Sequence, residues 1–333
     1  MKKYLFIILF FYVSGYTLFS LTNDENHFLK SEINLRKLFL TNKFKSILND
    51  SLLSDLSENN KNHTKDLSFT KENSIITFYN SNLNDKSYNF LNQSNEINPS
   101  NTIGYFEILF KNNRYGVFVA SRDSHSIQTH LHNVNGNQFY GFAEVKDYLI
   151  KKKSKVLMLT NGGMYKPNFK PVGYFRELGG SNILYPLDIK KPNLNDNFHL
   201  YPNGVFYIDL NGNSKVIETD KFNNDKQAKQ AKLATQSGPM LVFNGKIHPK
   251  FTKGSTNRKI RSGVGVSNQG NTVFVISKGE VSFYDFADLF LSRFSCLNAL
   301  YLDGQISQMQ VEGKGLLPPK RRQFGPMISV VKK

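Results

Sequence analysis

The chain has 333 residues, 39% of them hydrophobic, a single cysteine and a formal net charge of +17. That length supports one large buried core or two modest ones, and one cysteine excludes an internal disulfide and any multi-cysteine metal site. Residues 1–100 carry 11 Lys and Arg against 10 Asp and Glu, whereas 101–333 carry 32 against 16; the basic field therefore belongs to the later part and favours anionic partners.

Lys2 and Lys3 precede an uncharged run from Tyr4 to Phe19 rich in Phe, Ile and Leu, the pattern of an export signal. Residues 1–20 are therefore expected to be a signal peptide, cleaved after Gly15 or Ser20, or an N-terminal anchor that is the chain's one membrane contact. This predicts a periplasmic or secreted protein. No Cys follows the run, so it is not a lipoprotein signal. Residues 21–100 contain no Gly and only Pro99, and are rich in Asn, Ser, Lys and Leu. They read as a polar spacer or small helical appendage, with Phe28–Leu48 a candidate amphipathic stretch and Ser57–Asp66 and Ser81–Ser100 linker-like.

From residue 101 the texture becomes that of a single further domain. Tyr105–Phe110, Tyr115–Ser121 and Ile127–Leu131 have strand patterns. Phe142, Val145, Tyr148 and Leu149 share one face of a helix over Phe142–Lys152. Further strands are predicted at Val156–Leu159, Val205–Asp209, Met240–Phe243, Val264–Ser267, Thr272–Ser277, Ala299–Leu302 and Met327–Val331, with a second helix at Asp285–Arg293. Many short strands and few helices predict an α+β fold, mostly antiparallel mixed sheet with a few packed helices.

Three polar clusters adjoin these apolar runs: Asn161-Gly162-Gly163 after Leu157–Thr160, Gln236-Ser237-Gly238 before Met240–Phe243, and Asp303-Gly304 after Ala299–Leu302. A carboxylate or carboxamide followed by Gly at a strand end offers a polar side chain beside backbone that a ligand can approach closely. Arg258 and Arg261, in a loop entering the Val264 strand, supply planar guanidinium forks suited to an oxyanion. Asp285 is a possible second carboxylate, with Glu280 the weaker choice. His199 and His248 have no partner His at metal-ligand spacing, His130 and His132 sit two apart on one face of a predicted strand with no third ligand nearby, and all four read as surface or core imidazoles. No cofactor is required by these patterns, and a divalent cation held by Asp oxygens leaves no spacing signature. Cys296, in an apolar context, reads as a buried structural thiol. Basic residues are scattered and lack an aromatic-basic recognition motif, which argues against nucleic acid.

The order of these segments resembles the phosphodiester glycosidase domain family, in its bacterial exported branch. The matching stretches are T-N-G-G-M-Y from Thr160, P-V-G from Pro171, N-F-H-L-Y-P-N-G-V-F from Asn197 and A-T-Q-S-G-P-M-L-V from Ala234. They continue with H-P-K-F from His248, R-K-I-R-S-G-V-G-V from Arg258, V-S-F-Y-D-F-A from Val281 and N-A-L-Y-L-D-G from Asn298. The chain departs from the pattern at Gly304-Gln305 and at Tyr174-Phe175-Arg176-Glu177. The resemblance implies a glycosidase that hydrolyses the sugar–phosphate bond of a sugar 1-phosphodiester or phosphoglycan, with Asn161, Gln236, Ser237, Arg261 and Asp303 around its pocket. In that reading Arg261, aided by Arg258, holds the phosphate, and Asp303 faces the anomeric carbon. Two other readings stay open: a non-catalytic glycan- or polyanion-binding envelope protein, and a phosphodiesterase that cuts P–O.

Overall fold

In a computed structural model, residues 7–13, 16–22, 90–91, 102–178, 185–190, 196–319 and 322–333 are described. The amphipathic stretch expected at Phe28–Leu48 and the Ser57–Asp66 linker lie outside them. The chain divides into two units, Met1–Ile97 and Asn98–Lys333. In the first, Ile7–Val13 and Tyr16–Thr22 pair antiparallel, with Val13 opposite Tyr16. Among the described residues no helix is long and apolar enough to cross a membrane.

The second unit is an α+β fold in which the described strands pair antiparallel. It opens with β1 (Gly104–Phe110), β2 (Asn113–Ala120), β3 (His125–His130), helix α1 (Phe142–Lys151) and β4 (Val156–Asn161). Next come β5 (Phe175–Arg176), β6 (Gly204–Ile208), β7 (Ser214–Glu218), α2 (Thr219–Asn224), β8 (Leu233–Ser237), β9 (Met240–Phe243) and β10 (Lys246–Ile247). The unit closes with β11 (Ser262–Val266), β12 (Thr272–Ser277), α3 (Phe283–Phe294), β13 (Ala299–Asp303), β14 (Met309–Val311), β15 (Gly315–Leu317) and β16 (Met327–Lys332).

Three sheets share these strands. The first runs β10-β9-β13-β11-β12-β2-β1, the second β15-β14-β4-β16-β3, and the third β7-β6-β8-β5. Alternation along each strand sends one set of side chains inward. Phe118, Met158, Phe206, Leu233, Val264, Phe274, Leu300, Met309 and Ile328, drawn from all three sheets, form a common core. On the second sheet, α1 seats Phe142, Val145 and Leu149 against Leu159 and Met327. Phe222 of α2 packs with Tyr207 and Ala234 of the third sheet.

Helix α3 covers the first sheet and decides the site's geometry. Ser282 caps it: its Oγ accepts the Asp285 N–H at 3.0 Å and donates to Asp285 Oδ2 at 2.8 Å, a reciprocal cap at the Ser-x-x-Asp spacing. Asp285 was expected to begin the helix, but the structure starts it two residues earlier, at Phe283, directly after the Ser282 cap. Phe286, Leu289, Phe290 and Phe294 are buried beneath it. They fit because β11 alternates Gly263-Val264-Gly265: a Cβ on Gly265 would lie 2.8 Å from Cys296 Sγ and 2.9 Å from a Phe290 ring carbon. Glycine there lets the phenyl rings reach the sheet backbone.

The structure also corrects the placement of the Gln236 cluster. It was expected as a polar cluster just ahead of the Met240–Phe243 strand, whereas Leu233–Ser237 is itself a fully buried strand. Its polar residues are satisfied by specific partners, which a hydropathy pattern does not register.

Phe290→Ala removes a ring packed on the glycine-lined strand and should lower unfolding free energy by about 3–5 kcal/mol. Urea denaturation, with the exposed Leu297 (62% exposed) changed to Ala as the control, measures it.

Candidate active site

The chain leaves the first sheet at Asp303 and enters the second at Met309. Where it crosses, a cleft of about 370 Å³ opens, within the range of small-molecule sites. Arg261, Asp303 and Gly304 line it, together with Tyr301, Phe283 and Met164, and Asn197, Asn257, Lys259 and Gln305 complete the wall.

Arg261 is the largest fully buried side chain among the described residues, 1% exposed. Its Nε–H donates to Val281 O at 2.9 Å, one terminal nitrogen to Asn257 O at 3.2 Å, and the other makes a long bond of 3.4 Å to the Tyr301 hydroxyl. The guanidinium lies 3.5 Å from the centroid of the Phe283 ring, a cation–π stack. Its backbone N–H donates to Ser277 Oγ at 2.9 Å. No carboxylate pairs with it among the described residues. Burial pulls its pKa down, opposed by Tyr301. A buried cation without a counter-charge carries an uncompensated desolvation cost, and each terminal nitrogen keeps a further N–H for a ligand.

Asp303 ends β13 opposite Ser262, the neighbour of Arg261. The pairing slips by one residue between Ser262 and Gly263, and with this bulge both Asp303 and Tyr301 border the cleft, where the carboxylate charge acts on the Tyr301 hydroxyl. Gly304 N–H donates to Asp303 Oδ1 at 2.6 Å. Burial pushes the carboxyl up to about 6, with the Gly304 bond and the Arg322 charge opposing. Gly304 has no room for a side chain: its Cβ would lie 2.7 Å from the Tyr301 hydroxyl. Gln305 Nε2 donates to Glu280 Oε1 at 3.0 Å across the rim.

The remaining predicted residues do not line this cleft. Asn161 is spent on the frame: its amide donates to Ser262 Oγ at 2.9 Å and its Oδ1 accepts Gln308 N–H at 3.1 Å. Ser262 Oγ in turn meets Ser307 Oγ at 2.8 Å, so Asn161 ties the crossing loop to both sheets. Gly162 N–H donates to Pro326 O at 2.7 Å. Gln236 Oε1 accepts the N–H groups of Tyr174 and Asp188, both at 2.9 Å, while its Nε2 donates to Asp188 O at 2.7 Å and Thr219 Oγ1 at 3.2 Å. Ser237 Oγ donates to Leu302 O at 3.0 Å, and Gly238 sits against the Phe198 carbonyl. Arg258 donates to Asn113 Oδ1 and Glu280 O at 2.8 and 2.9 Å and approaches Asp285 Oδ2 at 3.9 Å. The structure thus brings Arg261, Asp303 and Gly304 together and pairs Arg258 with Asp285 at the helix cap.

Each of the four histidines has a partner. His199 bridges Asp196 Oδ2 (2.5 Å) and Asp188 Oδ1 (3.2 Å), next to Asn197 of the cleft. His132 Nδ1 meets Glu177 Oε2 at 3.1 Å. His130 Nε2 meets Ser329 Oγ at 2.8 Å, and burial lowers its pKa to about 3, with the Lys152 charge adding to the shift. His248 bonds Tyr201 O at 3.0 Å, and burial lowers its pKa. Among the described residues no three His, Cys, Asp or Glu side chains are grouped to hold a metal.

A family model described as phosphodiester glycosidase matches residues 154–331, which span the cleft. The chain belongs to the phosphodiester glycosidase family. Over 184 residues it is 37% identical to the uncharacterized protein YigE of Escherichia coli strain K12, covering 55% of this chain and 69% of that protein. The zebrafish N-acetylglucosamine-1-phosphodiester alpha-N-acetylglucosaminidase catalytic domain, auto-inhibited by its pro-peptide, aligns with a TM-score of 0.45 at 15% identity, over 69% of this chain and 82% of its own. A Burkholderia pseudomallei K96243 protein described as exported aligns with a TM-score of 0.44 at 11% identity, over 66% and 74%. Membership supports a glycosidase-type hydrolase activity.

Within this phosphodiester glycosidase domain, the sequence patterns missed Tyr301, Phe283 and Asn257 as partners of Arg261. Tyr301 was reachable, because it sits only two residues from Asp303 at the same strand end. The backbone carbonyl of Asn257 carries no side-chain identity and leaves no such trace.

The folded Asp303 value near 6 lies above that of an ordinary carboxylate. Its neutral form is favoured on folding, so ionised Asp303 costs stability above about pH 6, and the cost vanishes once both states are protonated. Asp303→Asn should therefore stabilise the protein at about pH 8, on the order of 2 kcal/mol, and give no gain at about pH 3. Thermal or urea melts at the two pH values check the sign.

Proposed function

We propose that the cleft binds a sugar 1-phosphodiester and that the protein hydrolyses the bond between the anomeric carbon and the phosphate oxygen. The observation that carries this reading is the buried, carboxylate-free guanidinium of Arg261 in one cleft with Asp303. A phosphodiester supplies the missing counter-charge, and the guanidinium's free N–H groups match two phosphate oxygens.

Cleavage builds oxocarbenium-like positive charge on the sugar while the phosphate departs with the bonding electron pair. The phosphate leaves as a stable anion and asks little of an acid catalyst. Arg261, fixed by Val281, Asn257 and Phe283 before substrate arrives, stabilises that departing charge without reorganisation. Asp303, ionised, takes a proton from the water that attacks the anomeric carbon and steadies the cationic carbon meanwhile. A carboxyl titrating near 6 suits proton transfer close to neutrality. Lys259 at the rim adds positive charge on the approach to the cleft. The products are the free sugar and a phosphomonoester.

Export is part of this reading. Its support is the Lys2-Lys3 pair ahead of the uncharged Tyr4–Phe19 run, and phosphoglycans of the cell envelope would then be accessible substrates. Fractionation of cells making the full chain should recover it outside the cytoplasm, and removal of residues 1–20 should retain it inside; cytoplasmic recovery of the full chain refutes export.

Hydrolysis of an aryl or sugar 1-phosphodiester in ¹⁸O-labelled water should place the label on the anomeric hydroxyl. Label in the phosphate would mean P–O cleavage. Binding without product in the wild type would mean a binding protein. Arg261→Gln should lower kcat/KM by about 10²–10³-fold, and Asp303→Asn by about 10²–10⁴-fold. Wild-type kcat/KM should fall as pH drops through about 6, because the base must be ionised, and the Asn variant should lose this limb.

A further inference from the structure

Arg322 has no place in the reaction as derived, yet its guanidinium is poised for a ligand. Its Nε is buried and has no hydrogen-bond partner, and among the described residues no carboxylate comes within 4.0 Å of it. Buried polar atoms nearly always find partners, so an unpartnered donor on a charged group is a candidate contact for an acceptor.

The backbone around Arg322 is held firmly beside the cleft. The Tyr165 hydroxyl donates to Gln323 O at 2.9 Å, and Phe324 N–H donates to Tyr140 O at 2.9 Å. Gly325 lies so close to Tyr165 that a Cβ would come within 2.7 Å of it, and Pro326 O accepts the Gly162 N–H. The segment therefore runs along residues 162–165, and Met164 is part of the cleft wall. Asp303 and Arg322 both act on the Tyr165 hydroxyl, which burial pushes up to about 12. Arg261 and Arg322 come from different sheets: Arg261 precedes β11 of the first, and Arg322 leads into β16 of the second.

We propose that Arg322 is a second oxyanion-binding side chain of the cleft, which takes a phosphate or carboxylate carried on the sugar while Arg261 takes the anomeric phosphate. The inference rests on the sugar 1-phosphodiester reading and narrows it to substrates whose sugar is itself acidic. With phosphate at Arg261 and the anomeric carbon at Asp303, a sugar in the cleft lies next to the carboxylate on which the Arg322 charge acts. A planar fork there discriminates by charge, because a neutral sugar leaves the guanidinium unpaired in the bound state.

Calorimetric binding to the full chain tests this without requiring turnover. Glucose 1,6-bisphosphate and glucuronic acid 1-phosphate are compared with glucose 1-phosphate, in the wild type, Arg322→Gln, Arg322→Lys and, as a surface-charge control, Lys146→Gln on the exposed face of α1. At least one doubly anionic probe should bind the wild type and Lys146→Gln about ten-fold more tightly than glucose 1-phosphate, a difference of about 1.4 kcal/mol. The probe that gains identifies the second group as phosphate or carboxylate. Arg322→Gln should erase the preference at unchanged affinity for glucose 1-phosphate, and Arg322→Lys should keep part of it. The Gln variant should also move the Asp303 titration upward, since the arginine charge lowers it. The proposal is overturned if no probe binds, if the wild type shows no preference, if Arg322→Gln retains it, or if that variant weakens all three probes equally. An Arg322-dependent preference in a protein that turns over no phosphodiester would sink the glycosidase reading and leave this one standing.

Discussion

A guanidinium buried without a carboxylate is the constraint around which this domain is organised. Arg261 is held by two backbone carbonyls, a phenyl face and a tyrosine hydroxyl, none of which carries a full negative charge. These groups meet enough of its hydrogen-bonding need to let it stay folded inward, and leave its charge for a ligand. A glutamate in place of any of them would neutralise the site and fill it. Phe283 owes its position to the first turn of α3 and Tyr301 to the strand beneath it. Gly304 and the glycines of β11 follow from the same demand, because each leaves space that this packing occupies.

Rigidity comes from the seam between sheets. Asn161, Ser262 and Ser307 form a buried polar knot at the point where the chain passes from Asp303 to Met309. Gln236 does comparable work one layer away: it closes the Tyr174 and Asp188 backbones together, and Asp188 engages His199 beside the cleft residue Asn197. Fully satisfied networks of this kind hold one geometry, which electrostatic preorganisation requires. The amides near the cleft therefore hold its walls in place, while Arg261 and Asp303 line it.

This division explains what could be read from residues alone. The α+β class, both long helices and most core strands follow from local periodicity, which survives into the fold because burial in each sheet obeys a period of two. Arg261 and Asp303 were legible as residue types at strand boundaries. Asn161, Gln236 and Ser237 looked equally functional, since a carboxamide beside glycine reads the same whether it meets a ligand or a neighbouring backbone. Only the three-dimensional partners separate the two. Arg258 and Asp285 were legible as charges but not as a pair, and the Ser282–Asp285 spacing was the trace that would have assigned Asp285 to the helix cap. The seam itself leaves no local trace, because it depends on Asn161 and Ser262, far apart in the chain, meeting across two sheets.

The chain's one thiol gives the architecture a built-in reporter. Cys296 lies fully buried under the end of α3, against Gly265, and burial pushes its pKa up. A thiol kept protonated and out of reach is silent toward alkylating and oxidising agents. It becomes reactive when the helix lifts from the sheet, so the rate of its modification counts openings of the layer that carries Phe283. The same burial means the protein can pass through an oxidising compartment with neither a partner for that sulfur nor a need for one.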